Sequence, residues 1–133
     1  PMRKTMLIIS SVFIVGCAST PSRQENEPDA YGEFPKNYSE IVRSHYRFLT
    51  EEPNSIRFNV IHVPRLFSIL DGLRQEKYGY LVCADLNLKK SNGDYTGHHT
   101  DGLLINNGRI VQFIERGRWF DKNVCQEALN SSP

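Results

Sequence analysis

Apolar and polar residues alternate with two different periods along the chain, and these periods predict its elements. From Tyr38 to Leu49 the apolar residues recur at helical spacing, which predicts an amphipathic helix whose apolar face extends to Phe48 and Leu49. Asn37, with Glu40 three residues later, is typical of a helix N-terminus. The period then changes to two over 55–63, which predicts a strand.

The strongest strand pattern covers residues 78–88, where both alternating faces carry apolar residues. Asn92-Gly93 predicts a turn after this strand. Further strands over 101–105 and 109–115 flank Asn106-Asn107-Gly108, which is typical of a second tight turn. Three consecutive strands joined in this way predict an antiparallel meander.

Two segments complete the predicted domain. Residues 65–76 fit either a short amphipathic helix or a loop that packs apolar side chains on the sheet. Asp121 is a candidate cap for a last short helix that carries Cys125. The predicted fold class is α+β, with an N-terminal helix, a small antiparallel sheet of about four strands with a C-terminal meander, and a short terminal helix.

The first residues have the layout of a secretory signal. Arg3 and Lys4 precede a short apolar run over 6–15, which is only about half of the length that crosses a bilayer. The tetrad Ile14-Val15-Gly16-Cys17 resembles the lipobox of bacterial lipoproteins. An ordinary signal with a chance cysteine, or an uncleaved anchor, are the alternatives.

The lipobox resemblance implies a domain organisation and a location. Residues 1–16 are then a signal peptide, and Cys17 carries a diacylglycerol and usually a further acyl chain, which together give stable anchoring. In such families an Asp after the cysteine favours retention in the inner membrane, whereas this chain has Ala18, which favours the outer membrane. We therefore expect a flexible tether over 17–34 and a single domain over 35–130 at the periplasmic face of the outer membrane.

Charge and cysteine content restrict the partners and the compartment. The net charge is +1 and the cationic residues form no dense run, which argues against nucleic acid as a partner. Cys83 and Cys125 are an even pair in a chain that is expected to be exported, so we predict a disulfide. The alternative is two buried free thiols.

The sequence contains no recognisable catalytic or cofactor motif, and we expect no cofactor, no metal and no enzymatic activity. His98-His99 with Asp101 offers metal-ligating groups. However, adjacent residues of an extended segment point to opposite faces, so we interpret them as solvated loop residues. His45 and His62 lie on apolar faces and are interpreted as hydrogen-bonded rim residues.

The turn region after the long strand is the candidate binding surface. It carries Asn87, Asn92, Tyr95 and Thr96, a mixture of an aromatic residue and small polar residues that recognition loops use. The alternative is that these residues serve the turn itself. We predict an envelope lipoprotein that binds another envelope protein. A small-molecule or glycan binder is the second hypothesis, and a cell-wall hydrolase with a free Cys83 near a histidine is the third.

Several short blocks together resemble a family of small proteobacterial lipoproteins. They are Phe34-Pro35-Lys36-Asn37-Tyr38, Glu52-Pro53-Asn54-Ser55, Gly79-Tyr80-Leu81-Val82-Cys83 and Gly93-Asp94-Tyr95-Thr96-Gly97. Glu52 and Asp94 depart from the residues that are usual in this family. The resemblance covers most of residues 34–111 and implies a compact periplasmic domain, but it implies no activity.

Overall fold

The computed structural model of the protein describes residues 11–12, 16 and 28–131. Cys17 and nearly all of the predicted signal peptide lie outside the described residues. The helices are α1 (Pro28–Tyr31), α2 (Tyr38–Leu49) and α3 (Val124–Asn130). The strands are β1 (Arg57–Ile61), β2 (Arg65–Leu70), β3 (Glu76–Asn87), β4 (His99–Asn106), β5 (Arg109–Ile114), β6 (Arg118–Trp119) and β7 (Lys122–Asn123).

Strand β3 is the centre of a five-stranded sheet in which every described pairing is antiparallel. β4 lies along one edge of β3 and β5 follows beyond it, so the predicted meander is present. β1 and β2 share the other edge of β3: β1 pairs with its C-terminal half and β2 with its N-terminal half. A separate two-stranded ribbon is formed by β6 and β7. The fold is α+β, as expected.

Both faces of β3 are buried, each under a different helix. Val82, Ala84 and Leu86 point to one face and pack in a cluster with residues of α2. Leu81 and Cys83 point to the other face and pack in a cluster with residues of α3. Because the side chains of a strand alternate between the two faces, the apolar run of β3 requires a cover on each side.

The segment 65–76 was expected to be a helix or a loop, and this prediction is wrong. Arg65–Leu70 forms strand β2, which pairs in register with β3 from Arg65 opposite Leu81 to Leu70 opposite Glu76. Its apolar spacing fits a helix as well as a strand. The unfilled edge of β3 decides in favour of the strand, because pairing satisfies backbone groups along both segments.

The last helix begins later than expected and has a different cap. The side chain of Asn123 accepts a hydrogen bond of 2.9 Å from the backbone N–H of Gln126, so Asn123 and not Asp121 is the N-cap. Asp121 instead lies in the turn between β6 and β7. Both residue types are good caps. Pairing of β7 with β6 moves the start of the helix past Asp121.

The described part of the expected tether, residues 28–34, packs against the sheet. The Asn106 side-chain amide donates to the carbonyl oxygen of Ala30 at 2.7 Å, and the Glu33 N–H donates to Asn107 at 3.1 Å. The rings of Tyr31 and Tyr78 meet edge to face with centroids 5.3 Å apart. The packed part of the chain therefore includes residues 28–34, while 17–27 lie outside the described residues.

Cys83 on β3 and Cys125 on α3 form a disulfide, with their Cα atoms 5.8 Å apart. The backbone of Gly117 approaches this region closely: a Cβ added to it would lie 2.9 Å from the Cβ of Cys125. Gly117 also has a φ of +69°, which a larger residue rarely adopts. The disulfide thus joins the central strand to the helix that covers it.

We predict that the disulfide contributes about 4 kcal/mol to the free energy of unfolding, since it closes a long loop in the unfolded chain. Cys17→Ser leaves only Cys83 and Cys125 of the three cysteines of the chain. Thiol titration of this denatured variant should find no thiol before reduction and both thiols after it. Two thiols before reduction would contradict the disulfide.

Candidate functional site

Backbone hydrogen bonds join the two arms of the loop between β3 and β4, residues 88–98. The Thr96 N–H donates to the Leu88 carbonyl oxygen at 2.7 Å, and the Lys90 N–H donates to Asp94 at 2.6 Å. The chain reverses at Asn92-Gly93, where Gly93 has a φ of +94°. This is the turn that the sequence predicts.

Two of the predicted binding residues support this loop from inside. Asn87 is buried, and its side-chain oxygen accepts from the Gly97 N–H at 3.0 Å and faces the Thr96 hydroxyl at 3.4 Å. The Thr96 hydroxyl accepts from the Leu88 N–H at 3.3 Å. Asn87 and Thr96 therefore support the loop, and Asn87 is buried while Thr96 is half-buried.

The other two predicted binding residues also have partners within the fold. The Tyr95 hydroxyl donates to the Ser55 carbonyl oxygen at 3.1 Å, and the Arg57 guanidinium lies 4.2 Å from the centre of the Tyr95 ring. Asn92 is exposed, and its side-chain oxygen accepts from the Asp94 N–H at 2.9 Å. Asn92 is the one member of the predicted set that is classed as exposed and not as buried or half-buried.

A cleft lies beside the loop, where the end of α2 faces it. We call it the distal cleft; it has a volume of about 420 Å³ and is lined by Leu49, Thr50, Glu51, Glu52, Lys89, Lys90, Ser91 and Gly93. The ammonium group of Lys89 lies 3.0 Å from the Glu52 carboxylate, and this hydrogen bond raises the pKa of Lys89. Its charged residues, two glutamates and two lysines, balance, and Leu49 is the one large apolar residue in a lining that is otherwise mainly polar.

Two consecutive apolar residues at the end of α2 are exposed, and the second of them, Leu49, lines the distal cleft. Phe48 is 91% exposed and Leu49 is 65% exposed. The sequence predicts them on the buried face of α2, and this prediction is wrong. The buried residues of α2 are Val42 and Tyr46, and its last turn projects past the packed core. The helical period was correct, but it carries no information on where the sheet beneath the helix ends.

The distal cleft is far from helix α1. Tyr31 contacts Tyr78 near the start of β3, whereas Lys89 follows the end of that strand. With a rise of about 3.3 Å per residue, Tyr78 and Lys89 are about 35 Å apart along the sheet. The cleft and the beginning of α1 therefore lie at opposite ends of β3.

A buried carboxylate, Asp101, is the second polar feature of the domain. It accepts hydrogen bonds from the Tyr46 hydroxyl at 2.6 Å and from the Arg116 N–H at 2.8 Å. Burial raises the pKa of Tyr46, and the hydrogen bond to Asp101 raises it further. Such charge-assisted bonds offset the cost of burying a carboxylate, and they tie α2 to the sheet.

His99 also contacts this carboxylate. The sequence predicts His99 in a solvated loop, and this prediction is wrong, because His99 is the first residue of β4. Its Nε2 atom is 3.2 Å from Asp101, and its Nδ1 atom is 3.1 Å from the Gly97 carbonyl oxygen. Each ring nitrogen thus faces an oxygen acceptor. Both ring nitrogens therefore have partners within the fold, which argues for a structural role.

The other three histidines make different contacts. His45 packs against the Phe113 ring at 5.3 Å, and its Nε2 atom is buried without a hydrogen-bond partner among the described residues. Burial lowers the pKa of His45, although the nearby charge of Asp101 acts in the opposite sense. His98 is exposed, 3.8 Å from Asp85. His62 is half-buried and its backbone N–H donates to Cys83.

Within the described part of the chain, no group of three or more His, Cys, Asp or Glu residues is arranged to hold a metal ion. No helix among these residues is long and apolar enough to cross a membrane. Comparison of the chain with protein-family models, with curated proteins and with solved structures finds no match.

Tyr95→Ala should destabilise the domain by about 1–2 kcal/mol, because it removes the contact with Arg57 and the hydrogen bond to Ser55. Tyr95→Phe keeps the ring and should lose only the smaller contribution of the hydroxyl. Urea unfolding measures both, with Phe48→Ala as the control, since a highly exposed residue should change stability by less than about 0.5 kcal/mol. Equal stability of wild type and Tyr95→Ala would instead make Tyr95 an unpacked surface residue.

Proposed function

We propose that this protein is a non-enzymatic lipoprotein of the bacterial envelope whose domain binds another envelope protein through the distal cleft. Cys17 carries the lipid, and the domain lies on the periplasmic side of the outer membrane. The basic start, the short apolar run and the lipobox-like tetrad before Cys17 support the anchor. The blocks that resemble small proteobacterial lipoproteins support the same assignment.

The observation that carries the binding role is the exposure of Phe48 and Leu49 beside an open cleft. Neighbouring exposed apolar side chains at the rim of a cleft are typical of protein interaction sites. An aromatic residue next to a cavity is the kind of group that becomes a binding hot spot. The cleft lies at the end of the sheet away from α1, so a domain anchored through its N-terminus presents the cleft away from the membrane.

Two features support a role without catalysis. A cell-wall hydrolase of the cysteine type requires a free thiolate beside a histidine, but Cys83 is bonded to Cys125. His99, the histidine closest to a buried carboxylate, has both ring nitrogens directed at oxygen acceptors.

A small molecule or a glycan is the second candidate ligand. The volume of the distal cleft, about 420 Å³, falls within the range of small-ligand sites. Its open shape and the exposed apolar rim favour a larger partner that covers Phe48.

Lipidation is tested by the Cys17→Ser variant. In cells fed radioactive palmitate, the wild-type chain should become labelled and the variant should not, because only the Cys17 sulfur receives the diacylglycerol. The intact mass of the mature wild-type protein should correspond to a chain that starts at Cys17. Label on the variant, or cleavage at another residue, would contradict the anchor.

The binding role is tested by photo-crosslinking in intact cells of the source bacterium. A photo-reactive amino acid in place of Leu49 should give a discrete adduct with one protein. The same group in place of Glu127, an exposed residue of α3, should not.

Phe48→Ala should then reduce the yield of this adduct, because truncation of a hot-spot aromatic costs on the order of 2 kcal/mol of binding. Leu66→Ala is the control, since Leu66 is also an exposed apolar residue but lies on β2 and does not line the cleft. Identical yields from the two variants would move the binding surface away from the cleft. Absence of any adduct from Leu49 would contradict protein binding there.

A further inference from the structure

A second exposed apolar surface lies at the opposite end of the domain from the distal cleft. We call it the proximal patch, and it consists of Leu70, Leu73, Trp119 and Phe120. The indole N–H of Trp119 donates to the Leu70 carbonyl oxygen at 2.8 Å, and the Trp119 and Phe120 rings meet with centroids 5.4 Å apart. Leu73 is 81% exposed and Phe120 is 74% exposed.

The patch is displayed by two tight turns. The Asp71 carboxylate accepts from the backbone N–H groups of Leu73 and Gln75, at 2.8 and 2.9 Å, and this fixes the turn between β2 and β3. Leu73 is thus held outward on an ordered turn. An apolar side chain fixed in this way loses little conformational freedom when it enters an apolar environment.

Phe120 is in a backbone conformation that disfavours its residue type. Its φ is +54°, in the turn between β6 and β7. Glycine adopts this region easily, whereas a bulky residue there is strained. Within the domain the Phe120 ring contacts Trp119 but stays largely exposed, so this conformation presents an aromatic side chain to the surroundings.

The patch lies at the same end of β3 as the beginning of α1. Leu70 is opposite Glu76, the first residue of β3, and Tyr31 packs on Tyr78 two residues further along. Pro28 follows Cys17 by only eleven residues. Even fully extended, a chain of this length spans no more than about 40 Å. A lipid on Cys17 therefore keeps the bilayer within reach of this end of the domain.

From this placement we infer that the proximal patch rests on the bilayer, with Leu73, Trp119 and Phe120 in the interfacial region. This inference relies on the proposed anchor at Cys17. Tryptophan and other amphipathic aromatic residues favour the membrane–water interface. Arg74, Arg118 and Lys122 lie next to the patch, but so do Asp71, Glu76 and Asp121, so apolar contact and not anionic lipid drives the docking.

Trp119 is the single tryptophan of the chain and therefore reports on the patch directly. The lipidated full-length mature protein is reconstituted into neutral phosphatidylcholine vesicles, either plain or brominated on the acyl chains near the headgroup. Docking should shift the Trp119 emission to shorter wavelength on membrane attachment, and brominated lipid should quench it. Both effects should persist at high salt.

Leu73→Asp should abolish the quenching, because a carboxylate at this position cannot enter the interface. Phe48→Asp is the matched control: it places the same charge at the distal end and should leave the quenching intact. Flotation of the vesicles is measured in the same samples to report on the anchor independently.

The outcomes separate docking from anchoring. Protein that floats with the vesicles but shows no quenching by brominated lipid would overturn docking and leave the anchor standing. Protein that does not float would overturn the anchor, and the docking with it. A blue shift that follows protein concentration and not lipid bromination would identify a second copy of the chain as the occupant and also overturn the inference.

Discussion

Burial of β3 on both faces is the constraint on which the rest of this domain depends. Its alternating side chains from Leu81 to Leu86 leave neither face suited to water, so one helix must cover each side. The two covers are fastened by different means. The α2 helix is tied to the sheet by the hydrogen bond from Tyr46 to the buried Asp101, and α3 is tied by the Cys83–Cys125 disulfide. Each fastening joins segments that are far apart in sequence.

Local pattern was sufficient to predict much of this fold. Three features could be predicted because each depends on neighbouring residues: the apolar run of β3, the helical period of α2 and the turn at Asn107-Gly108. The strand β2 could not be predicted, because its apolar spacing fits both a helical and a strand period. It is a strand because it pairs with the open edge of β3. The role of Tyr95 was missed for a similar reason: its partners Ser55 and Arg57 lie about forty residues earlier in the chain.

The two exposed apolar surfaces lie at opposite ends of the domain, along the axis of β3. The beginning of α1 and the proximal patch lie at one end of β3, and the distal cleft lies at the other. A strand of this length thus acts as a spacer between the proposed membrane contact and the proposed protein contact. Neither surface could be found from periodicity alone, since Phe48 and Leu73 look like core residues until the limits of the sheet are known.

Cys125 lies near the C-terminal end of the described residues, and this position determines when the disulfide can form during synthesis. The covalent link to β3 cannot form until almost the whole domain has left the ribosome, and in a reducing cytosol it does not persist. A precursor waiting for secretion would therefore lack one of the two fastenings of its core. Under the export proposed above, the chain becomes locked only after it reaches an oxidising compartment. A core that is completed by oxidation on the far side of the membrane would then favour translocation over premature folding.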